Sequence, residues 1–285
     1  MVRKGGAGGE KSRGGSALPK ARKRFGQHFL RDASVLDAIV EALGPLEGRT
    51  VVEIGPGRGV LTDRLVERAG RVIAIELDRD LAAGLRVRYA LQPHVEIVEA
   101  DVLSVAIGEL AGSPYVLAGN VPYYITTPIL FHALEAPRPE VAVYLVQREV
   151  AERMSAPPGD KTYGALSVNL QALSRVEFIR GVPPGAFVPP PTVESAVVRV
   201  TPRDERVIPP ELERRFRGVV MAAFGLRRKQ LLRVVRTIAA LDAEQAEAVL
   251  ARAGLPGDVR PETLSPEDFG RLVRELPAAP GAGSA

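Results

Sequence analysis

The chain has 285 residues, a length that favours one large domain together with a smaller one. Its composition, 46% hydrophobic and 25% charged, is typical of globular proteins and excludes collagen-like, mostly disordered and membrane classes. With no Cys, three His and no apolar run of about 20 residues, the sequence predicts no disulfide, no metal site and a cytoplasmic location.

Basic charge is concentrated in two segments, although the formal net charge of the chain is only +4. Residues 1–24 contain eight Lys or Arg against one Glu, and residues 214–236 contain eight Lys or Arg and no acidic residue. Such clusters indicate contact with a polyanion such as a nucleic acid. A solubilising tail and a solvated helix face are the alternative explanation, and charge alone does not decide between the two.

The elements predicted in chain order begin after a disordered basic tail, residues 1–20. From Asp32, apolar residues at helical spacing predict a helix that stops at Gly44. Short apolar runs alternating with helical stretches then predict strands of a parallel sheet. These runs are 51–54, 72–76, 95–98, 115–118 and 141–146.

The later apolar runs, 175–179 and 195–200, are joined by a Pro-rich loop without a helix and predict an antiparallel pair that closes the sheet. Only helical patterns follow, and they cover 211–224, 228–241, 242–254 and 265–276. We therefore predict an α/β domain over 21–204 with a mostly parallel, seven-stranded sheet. A small α-helical domain over 205–276 and a disordered tail over 277–285 complete the chain.

A glycine-rich turn follows the first strand of the sheet, where an open α/β sheet binds its ligands. Its pattern is E-x-G-x-G-x-G, from Glu53 through Gly55 and Gly57 to Gly59. The spacing differs from the G-x-G-x-x-G of dinucleotide folds, and the carboxylate of Glu53 disfavours a phosphate. The turn therefore favours a ligand that carries a cation or an amine at this point.

Two further carboxylates end the next two strands. Glu76 lies where a carboxylate accepts both hydroxyls of a ribose, and Asp101 lies where one accepts from an adenine amino group. Together with the glycine turn they predict a site for a nucleoside with a positively charged amino-acid tail. S-adenosylmethionine (SAM) fits that description. The alternative is a plain tight turn with solvated carboxylates at the strand ends.

The fourth strand ends in Asn120-Val121-Pro122-Tyr123. The lone pair of an adenine exocyclic amine is delocalised, so a methylating site needs acceptors that hold the amine, and the Asn120 side chain and the Val121 carbonyl can supply them. Pro122 stiffens the turn, and Tyr123 offers a face on which a base can stack. Phe187 is predicted to cover the other face, with a capped turn and core packing as the structural alternatives for these residues.

These residues resemble the rRNA adenine N6,N6-dimethyltransferases, and within that family the bacterial members that modify small-subunit rRNA. The resemblance runs from about Arg22 to Leu276. It is carried by KRFGQHFL, VVEIGPGRGVLT, AIELD, EADVL, GNVPYYIT, QREVAERM, YGALSV, FVPPPTVESAVV and AAFGLRRKQL.

The resemblance implies a Rossmann-like class I SAM-dependent methyltransferase fold with a helical C-terminal domain. It also implies dimethylation of two adjacent adenosines in a hairpin loop near the 3′ end of 16S rRNA, by a protein that acts as a monomer. The cofactor contacts of the family fall on His28, Leu30, Gly55, Glu76, Asp101 and Asn120. His28 departs from the pattern, because the family usually carries Asn there.

The predicted RNA-binding residues lie in the two basic segments. They are Arg22, Lys23, Arg24, Phe224, Arg227, Arg228 and Lys229. On a continuous helix Phe224, Arg227 and Arg228 would share one face, although Gly225 can interrupt that helix.

Three other functions remain open at this point. Two are enzymes: a methyltransferase that acts on large-subunit rRNA, and a DNA adenine methylase. The third is an RNA-binding assembly factor without activity, against which the intact acidic residues, glycines and Asn120 argue.

Overall fold

A computed structural model describes residues 28–112 and 114–277 of the chain. The predicted tail 1–20, the RNA-binding residues Arg22, Lys23 and Arg24, and residues 278–285 lie outside this range. Within it, no helix is long and apolar enough to cross a membrane. The same residues contain no group of three or more His, Asp or Glu placed to hold a metal ion.

The strands form one large sheet and one small one. They are β1 (Phe29–Leu30), β2 (Thr50–Ile54), β3 (Arg71–Glu76), β4 (Val95–Glu99), β5 (Tyr115–Asn120), β6 (Val141–Gln147), β7 (Ser174–Val182), β8 (Phe187–Val188) and β9 (Ser195–Pro202). The large sheet has seven strands in the order β4-β3-β2-β5-β6-β9-β7.

Strands β2 to β6 run parallel, whereas β9 pairs antiparallel with both β6 and β7. The predicted parallel sheet with a terminal antiparallel hairpin is therefore confirmed. The pairing of β1 with β8 in a separate two-stranded sheet was not predicted.

Helices cover both faces of the large sheet and make up the C-terminal region. They are α1 (Ala33–Leu43), α2 (Val60–Val66), α3 (Arg79–Arg88), α4 (Ile107–Ala111), α5 (Thr126–His132), α6 (Arg148–Ser155), α7 (Ala165–Gln171), α8 (Glu213–Gly225), α9 (Leu231–Ala239), α10 (Ala243–Ala253) and α11 (Pro266–Glu275). Helix α1 confirms its prediction: the Asp32 side chain accepts from the backbone N–H groups of Ser34 and Val35, and the helix ends at Gly44 with φ 81°.

Strand β2 is buried on both faces, which explains its continuous apolar sequence. Successive side chains of a strand point to opposite faces, so Val51 packs with α1 while Val52 packs in the hydrophobic cluster on the other side. The carboxyl ends of β2, β3 and β5 consequently meet at one edge of a rigid core, where the loops that follow them are held.

The C-terminal helices share a hydrophobic cluster that also includes residues of the preceding region. Val168 and Ala172, on and just after α7, pack in this cluster, whereas Leu166 and Leu170 of the same helix pack against the sheet. The Tyr163 hydroxyl donates to the carbonyl oxygen of Leu264 at 2.8 Å. Since α7 contacts both regions, the predicted division into two domains at 204 and 205 stays a prediction.

Candidate active site

A cavity lies at the carboxyl ends of β2, β3 and β5, where the loops after three parallel strands come together. Most of the predicted cofactor and catalytic residues line this cavity. They are His28, Leu30, Glu53, Gly55, Gly57, Glu76, Asp101, Asn120, Val121, Pro122 and Tyr123.

The glycine turn is packed tightly between two aromatic side chains. Gly57 and Gly59 have φ values of 60° and 79°, a region that disfavours any residue with a Cβ. A Cβ on Gly57 would lie 3.1 Å from the Phe29 ring, and one on Gly59 would lie 2.8 Å from the Tyr89 hydroxyl. The turn therefore needs glycine at these positions for both its conformation and its neighbours.

Polar side chains hold the glycine turn from the side away from the cavity. The Tyr89 hydroxyl lies 2.7 Å from Asp63 Oδ1 and 3.1 Å from the carbonyl oxygen of Gly59. Arg88 donates to the carbonyl oxygen of Arg58 at 3.1 Å and also to Asp63. Burial, followed by the hydrogen bond to Asp63, raises the pKa of Tyr89, so this hydroxyl stays protonated. No local sequence pattern indicates this support, because its members belong to different elements.

Glu76 connects the end of β3 to the glycine turn. Its Oε2 accepts from the backbone N–H of Gly57, and its Oε1 accepts from that of Asp78, each at 2.9 Å. The side chain is buried, and burial raises its pKa while these backbone N–H groups oppose the rise. Glu76 therefore positions the turn in addition to facing the cavity.

Glu53 places a buried carboxyl at the floor of the cavity. Burial, with further contributions from Glu76 and Asp63, raises its pKa to about 8 against the opposing effect of the Thr62 hydroxyl. Its Oε2 has no hydrogen-bond partner among the described residues. A cationic ligand group beside this carboxyl would compensate the cost of ionising it, so the cavity fits the charge of SAM.

Asn120 is oriented by the backbone of the N-terminal segment. Its Nδ2 donates to the carbonyl oxygen of His28 at 3.1 Å, which leaves Oδ1 as the acceptor end of the amide. Tyr123 is held similarly, because its hydroxyl lies 2.6 Å from Ser195 Oγ. The Tyr123 ring stacks against the His28 ring, with centroids 6.2 Å apart and planes 20° apart.

Asp101 lies at the rim of the cavity and is exposed. Its Oδ1 accepts from the backbone N–H of Leu103 at 3.0 Å and caps the short 3₁₀ turn Val102–Ser104. Two residues that the sequence analysis missed also line the cavity, Leu77 at 47% exposure and Tyr124 at 63% exposure. The sequence offered two signals for these residues: Leu77 is an apolar residue directly after Glu76, and Tyr124 is a second Tyr directly after Tyr123.

The structure places Phe187 in a hydrophobic cluster, and its predicted role at the target base stays a prediction. Its side chain is only 2% exposed and packs in a hydrophobic cluster with Leu30 and Val197. The cause is the pairing of β1 with β8, which sets Phe187 opposite Leu30. Phe187 therefore presents no ring face to the cavity.

The predicted RNA-binding residue Phe224 is partly buried. Its ring packs against Tyr163 and Phe269, with centroid distances of 6.1 and 6.0 Å, at the edge of the hydrophobic cluster of the helical region, and its RNA-binding role stays a prediction. Helix α8 ends at Gly225, so the predicted face of one helix does not form.

The three basic residues that follow α8 differ in their contacts. All three are exposed, and Arg227 also forms an ion pair with Glu262 at 3.0 Å. We call Arg228 and Lys229 the basic turn. The RNA-binding role of all three residues stays a prediction.

Comparisons with known proteins agree with this geometry. The family described as ribosomal RNA adenine dimethylase matches residues 18–277. The chain is 45% identical to the ribosomal RNA small subunit methyltransferase A of Xanthomonas oryzae pv. oryzae (strain PXO99A), over 90% of this chain and 97% of that protein.

Two solved structures have the same fold. A dimethyladenosine transferase from Plasmodium falciparum has a TM-score of 0.76 and 25% identity, covering 87% of this chain and 97% of that one. The 23S rRNA methyltransferase ErmE has a TM-score of 0.69 and 30% identity, covering 87% and 99%. The sheet order, the cavity and these similarities lead to one assignment: the chain belongs to the ribosomal RNA adenine dimethylase family and has the class I SAM-dependent methyltransferase fold.

Proposed function

We propose that the protein transfers methyl groups from SAM to the N6 amines of two adjacent adenosines in the 3′-terminal hairpin loop of 16S rRNA. It acts as a monomer on the small ribosomal subunit or its precursor, in the cytoplasm. The observation that carries the proposal is the orientation of Asn120, which lines the same cavity as Glu53 and Glu76 and whose Nδ2 donates to the carbonyl oxygen of His28, so that Oδ1 is left as the acceptor. The 45% identity to a small-subunit methyltransferase, against 30% to ErmE, favours small-subunit rRNA as the substrate.

In this proposal each of three carboxylates contacts a different part of the cofactor. Glu53 faces the cationic methionyl part, Glu76 accepts from the ribose hydroxyls, and Asp101 accepts from the adenine amino group. Leu30 and Leu77 supply apolar surface, and the backbone of Gly55 and Gly57 allows close approach. When bound, SAM supplies the methyl group on a sulfonium.

Asn120 and Val121 hold the target amine in this proposal. The Asn120 Oδ1 and the Val121 carbonyl oxygen each accept one N–H, which directs the nitrogen lone pair towards the cofactor site. Tyr123 stacks on the base, with its ring fixed by the hydrogen bond between its hydroxyl and Ser195. Proximity and alignment then account for most of the rate enhancement, and no covalent nucleophile is required.

The basic turn and Arg227 contact the RNA backbone outside the cavity. An Arg guanidinium suits bidentate contact with phosphate oxygens, and the exposure of Arg228 and Lys229 leaves both side chains accessible. Arg22, Lys23 and Arg24 would add further phosphate contacts.

The test incubates the protein with methyl-labelled SAM and, separately, small subunits that lack the modification, naked 16S rRNA and large subunits. Labelled nucleotides are then mapped by mass spectrometry of nuclease fragments, with Asn120→Ala as the inactive control. We expect label as dimethyladenosine at two adjacent positions in the small-subunit rRNA only. Label in large-subunit rRNA, or none in any of the substrates, would contradict the proposal.

A further inference from the structure

Tyr124 places an exposed aromatic ring at the mouth of the cavity. The chain has six tyrosines, and the structure describes all of them. The other five are buried or half-buried, whereas Tyr124 is 63% exposed although it lines the cavity. A ring that is both exposed and part of the cavity wall borders the opening through which a substrate enters. The proposed function assigns no role to this residue.

The short 3₁₀ helix Tyr123–Ile125 explains why adjacent residues face different surroundings. Successive residues of a 3₁₀ helix are about 120° apart around its axis, since it has about three residues per turn. Tyr123 contacts Ser195 through its hydroxyl, and Ile125 packs against the hydrophobic cluster below the cavity. Tyr124 takes the remaining direction, towards solvent.

The backbone that carries Tyr124 is held by the residues that follow it. The N–H of Ile125 donates to the carbonyl oxygen of Pro122 at 3.2 Å, and the buried Thr126 donates to the same oxygen through Oγ1, also at 3.2 Å. Contact with a ligand therefore orders little additional backbone, and the Tyr124 ring is a surface already in place for binding.

We propose that the Tyr124 ring is a second base subsite, on which the adenosine adjacent to the target adenosine stacks. This inference rests on the proposed function, because it assumes that the target base is held at Asn120 and Tyr123. It adds a contact to the substrate and leaves the roles in methyl transfer unchanged. The ligand of the subsite is a purine base of single-stranded RNA.

The subsite compensates a cost that entry of the target base creates. A base that leaves the loop for a pocket loses its stacking on the neighbouring base, and the neighbour loses the same contact. Stacking on an aromatic side chain replaces that contact. Tyr123 and Tyr124 are adjacent in the chain, and adjacent nucleotides share one phosphodiester. The neighbour of a base held at Tyr123 therefore stays close to Tyr124.

The test is a double-mutant cycle between the ring and the neighbouring base, in the full-length protein. Small subunits are reconstituted from 16S rRNA whose 3′-terminal segment is ligated from synthetic RNA, with both adenosines present or with either one replaced by an abasic nucleotide. Steady-state kinetics at saturating SAM give kcat and KM for transfer to each adenosine, and calorimetry gives the Kd for SAM without RNA.

The variants are Tyr124→Ala, which removes the ring, and Tyr124→Phe, which keeps it. Phe178→Ala is the control, because Phe178 is an exposed aromatic residue of β7 that does not line the cavity.

We expect Tyr124→Ala to lower kcat/KM about tenfold, through KM, for at least one of the two adenosines when its neighbour is intact. With an abasic neighbour, wild type and Tyr124→Ala should differ by less than about twofold. Tyr124→Phe and Phe178→Ala should follow wild type on every substrate. The SAM Kd should stay within about twofold in all variants, because the assigned cofactor contacts lie on other residues.

Three results would overturn the inference. A tenfold weaker SAM Kd in Tyr124→Ala would assign the ring to the cofactor. An equal loss on intact and abasic substrates would assign it to the target base or to the shape of the turn, and normal kinetics would show that it makes no contact. In each case wild type still methylates the subunit. Failure of wild type to methylate any subunit would instead contradict the proposed function itself.

Discussion

The cavity and the basic turn were predicted from the same sequence, but the predicted residues come together only at the cavity. Around the cavity, predicted residues from several segments of the chain come together, and Glu76 hydrogen-bonds directly to the glycine turn. In the C-terminal region the predicted group separates: Phe224 packs partly buried against Phe269, Arg227 is exposed but pairs with Glu262, and Arg228 and Lys229 are exposed.

The difference follows from what fixes each group in space. Strand ends of a parallel sheet converge at one edge, so local sequence is enough to place the cavity residues together. Residues 224–229 follow the end of α8, where their positions depend on partners distant in sequence, such as Glu262 and Phe269. Substitutions at the cavity should therefore have large and specific effects, and those at the basic turn should have smaller effects that depend on salt.

The largest expected effect is on methyl transfer in Asn120→Ala. Loss of the acceptor oxygen should lower kcat with small subunits by about a hundredfold or more, comparable to the loss of one hydrogen bond aimed at a transition state. The SAM Kd should stay within about threefold, because the cofactor contacts lie mainly on β2 and β3. Single-turnover transfer and calorimetry check both. A rate within tenfold of wild type would show that Asn120 does not hold the amine.

The pH dependence of stability should change in Glu53→Gln. In the folded protein the pKa of Glu53 is about 8, above its ordinary value of 4.5, so between these values the folded state binds more protons than the unfolded state. The contribution of this group to the free energy of unfolding is therefore fully present below about pH 4.5 and is lost as the pH rises towards 8, by on the order of a few kcal/mol. Urea unfolding across this range should show the fall in wild type and a flatter profile in Glu53→Gln. The exposed Glu109→Gln variant should behave like wild type.

Glu76→Ala should weaken SAM binding by about 2 to 3 kcal/mol, because it removes a charged acceptor from the cavity. The substitution also removes the hydrogen-bond acceptor of the Gly57 N–H. It should therefore lower thermal stability as well, which the loss of a solvated carboxylate would not do. Glu99→Ala is the matched control, since Glu99 lies beside Glu76 on β4 and pairs with Arg86. Equal SAM affinity in the two variants would contradict the assignment of Glu76.

The sheet could be predicted because its central strands are buried and their apolar runs are continuous. Strands β2 and β6 and the hairpin partner β9 are examples in which the predicted and observed limits differ by one or two residues. Strands β1 and β8 have two residues each, too few for any hydrophobic period to reveal them. Their pairing is set by tertiary contacts, and it decides where Phe187 and His28 lie.

The candidate site could be predicted as far as its residues follow strands. Glu53, Glu76 and Asn120 each lie at or next to a strand end, and their residue types indicated a nucleoside and an amine. The hydrogen bond between Tyr123 and Ser195 and the support of Gly59 by Tyr89 join residues that no local pattern connects. Local sequence therefore indicates the residues that face the cavity but not the residues that hold them in position.

The basic turn should show a smaller effect that depends on salt. Arg228→Glu and Lys229→Glu, made singly, should each weaken small-subunit binding about tenfold at low salt and leave the SAM Kd unchanged. Removal of one phosphate interaction should reduce the slope of log K against log salt by about 0.7 to 0.9. Arg175→Glu is the control, because it reverses one charge at an exposed residue of β7, away from the basic turn. Unchanged affinity and slope in both variants would place the RNA on another surface.

The smallest expected effect concerns the outer support of the glycine turn. Tyr89→Phe keeps the ring but removes the hydroxyl that contacts Asp63 and the Gly59 carbonyl, a loss of about 1 kcal/mol for one buried hydrogen bond. Because this hydroxyl acts on the conformation of the turn, the loss should appear as a SAM Kd about threefold to fivefold weaker. Turnover at saturating SAM should be unchanged.

Tyr115→Phe separates this effect from general destabilisation. The Tyr115 hydroxyl also lies 3.0 Å from a backbone carbonyl, that of Pro137, but outside the cavity. Both variants should lose similar thermal stability, and only Tyr89→Phe should weaken SAM binding. If both variants kept the wild-type Kd, the glycine turn would owe its shape to Glu76 and to its own backbone, and cofactor affinity would depend only on residues that face the cavity.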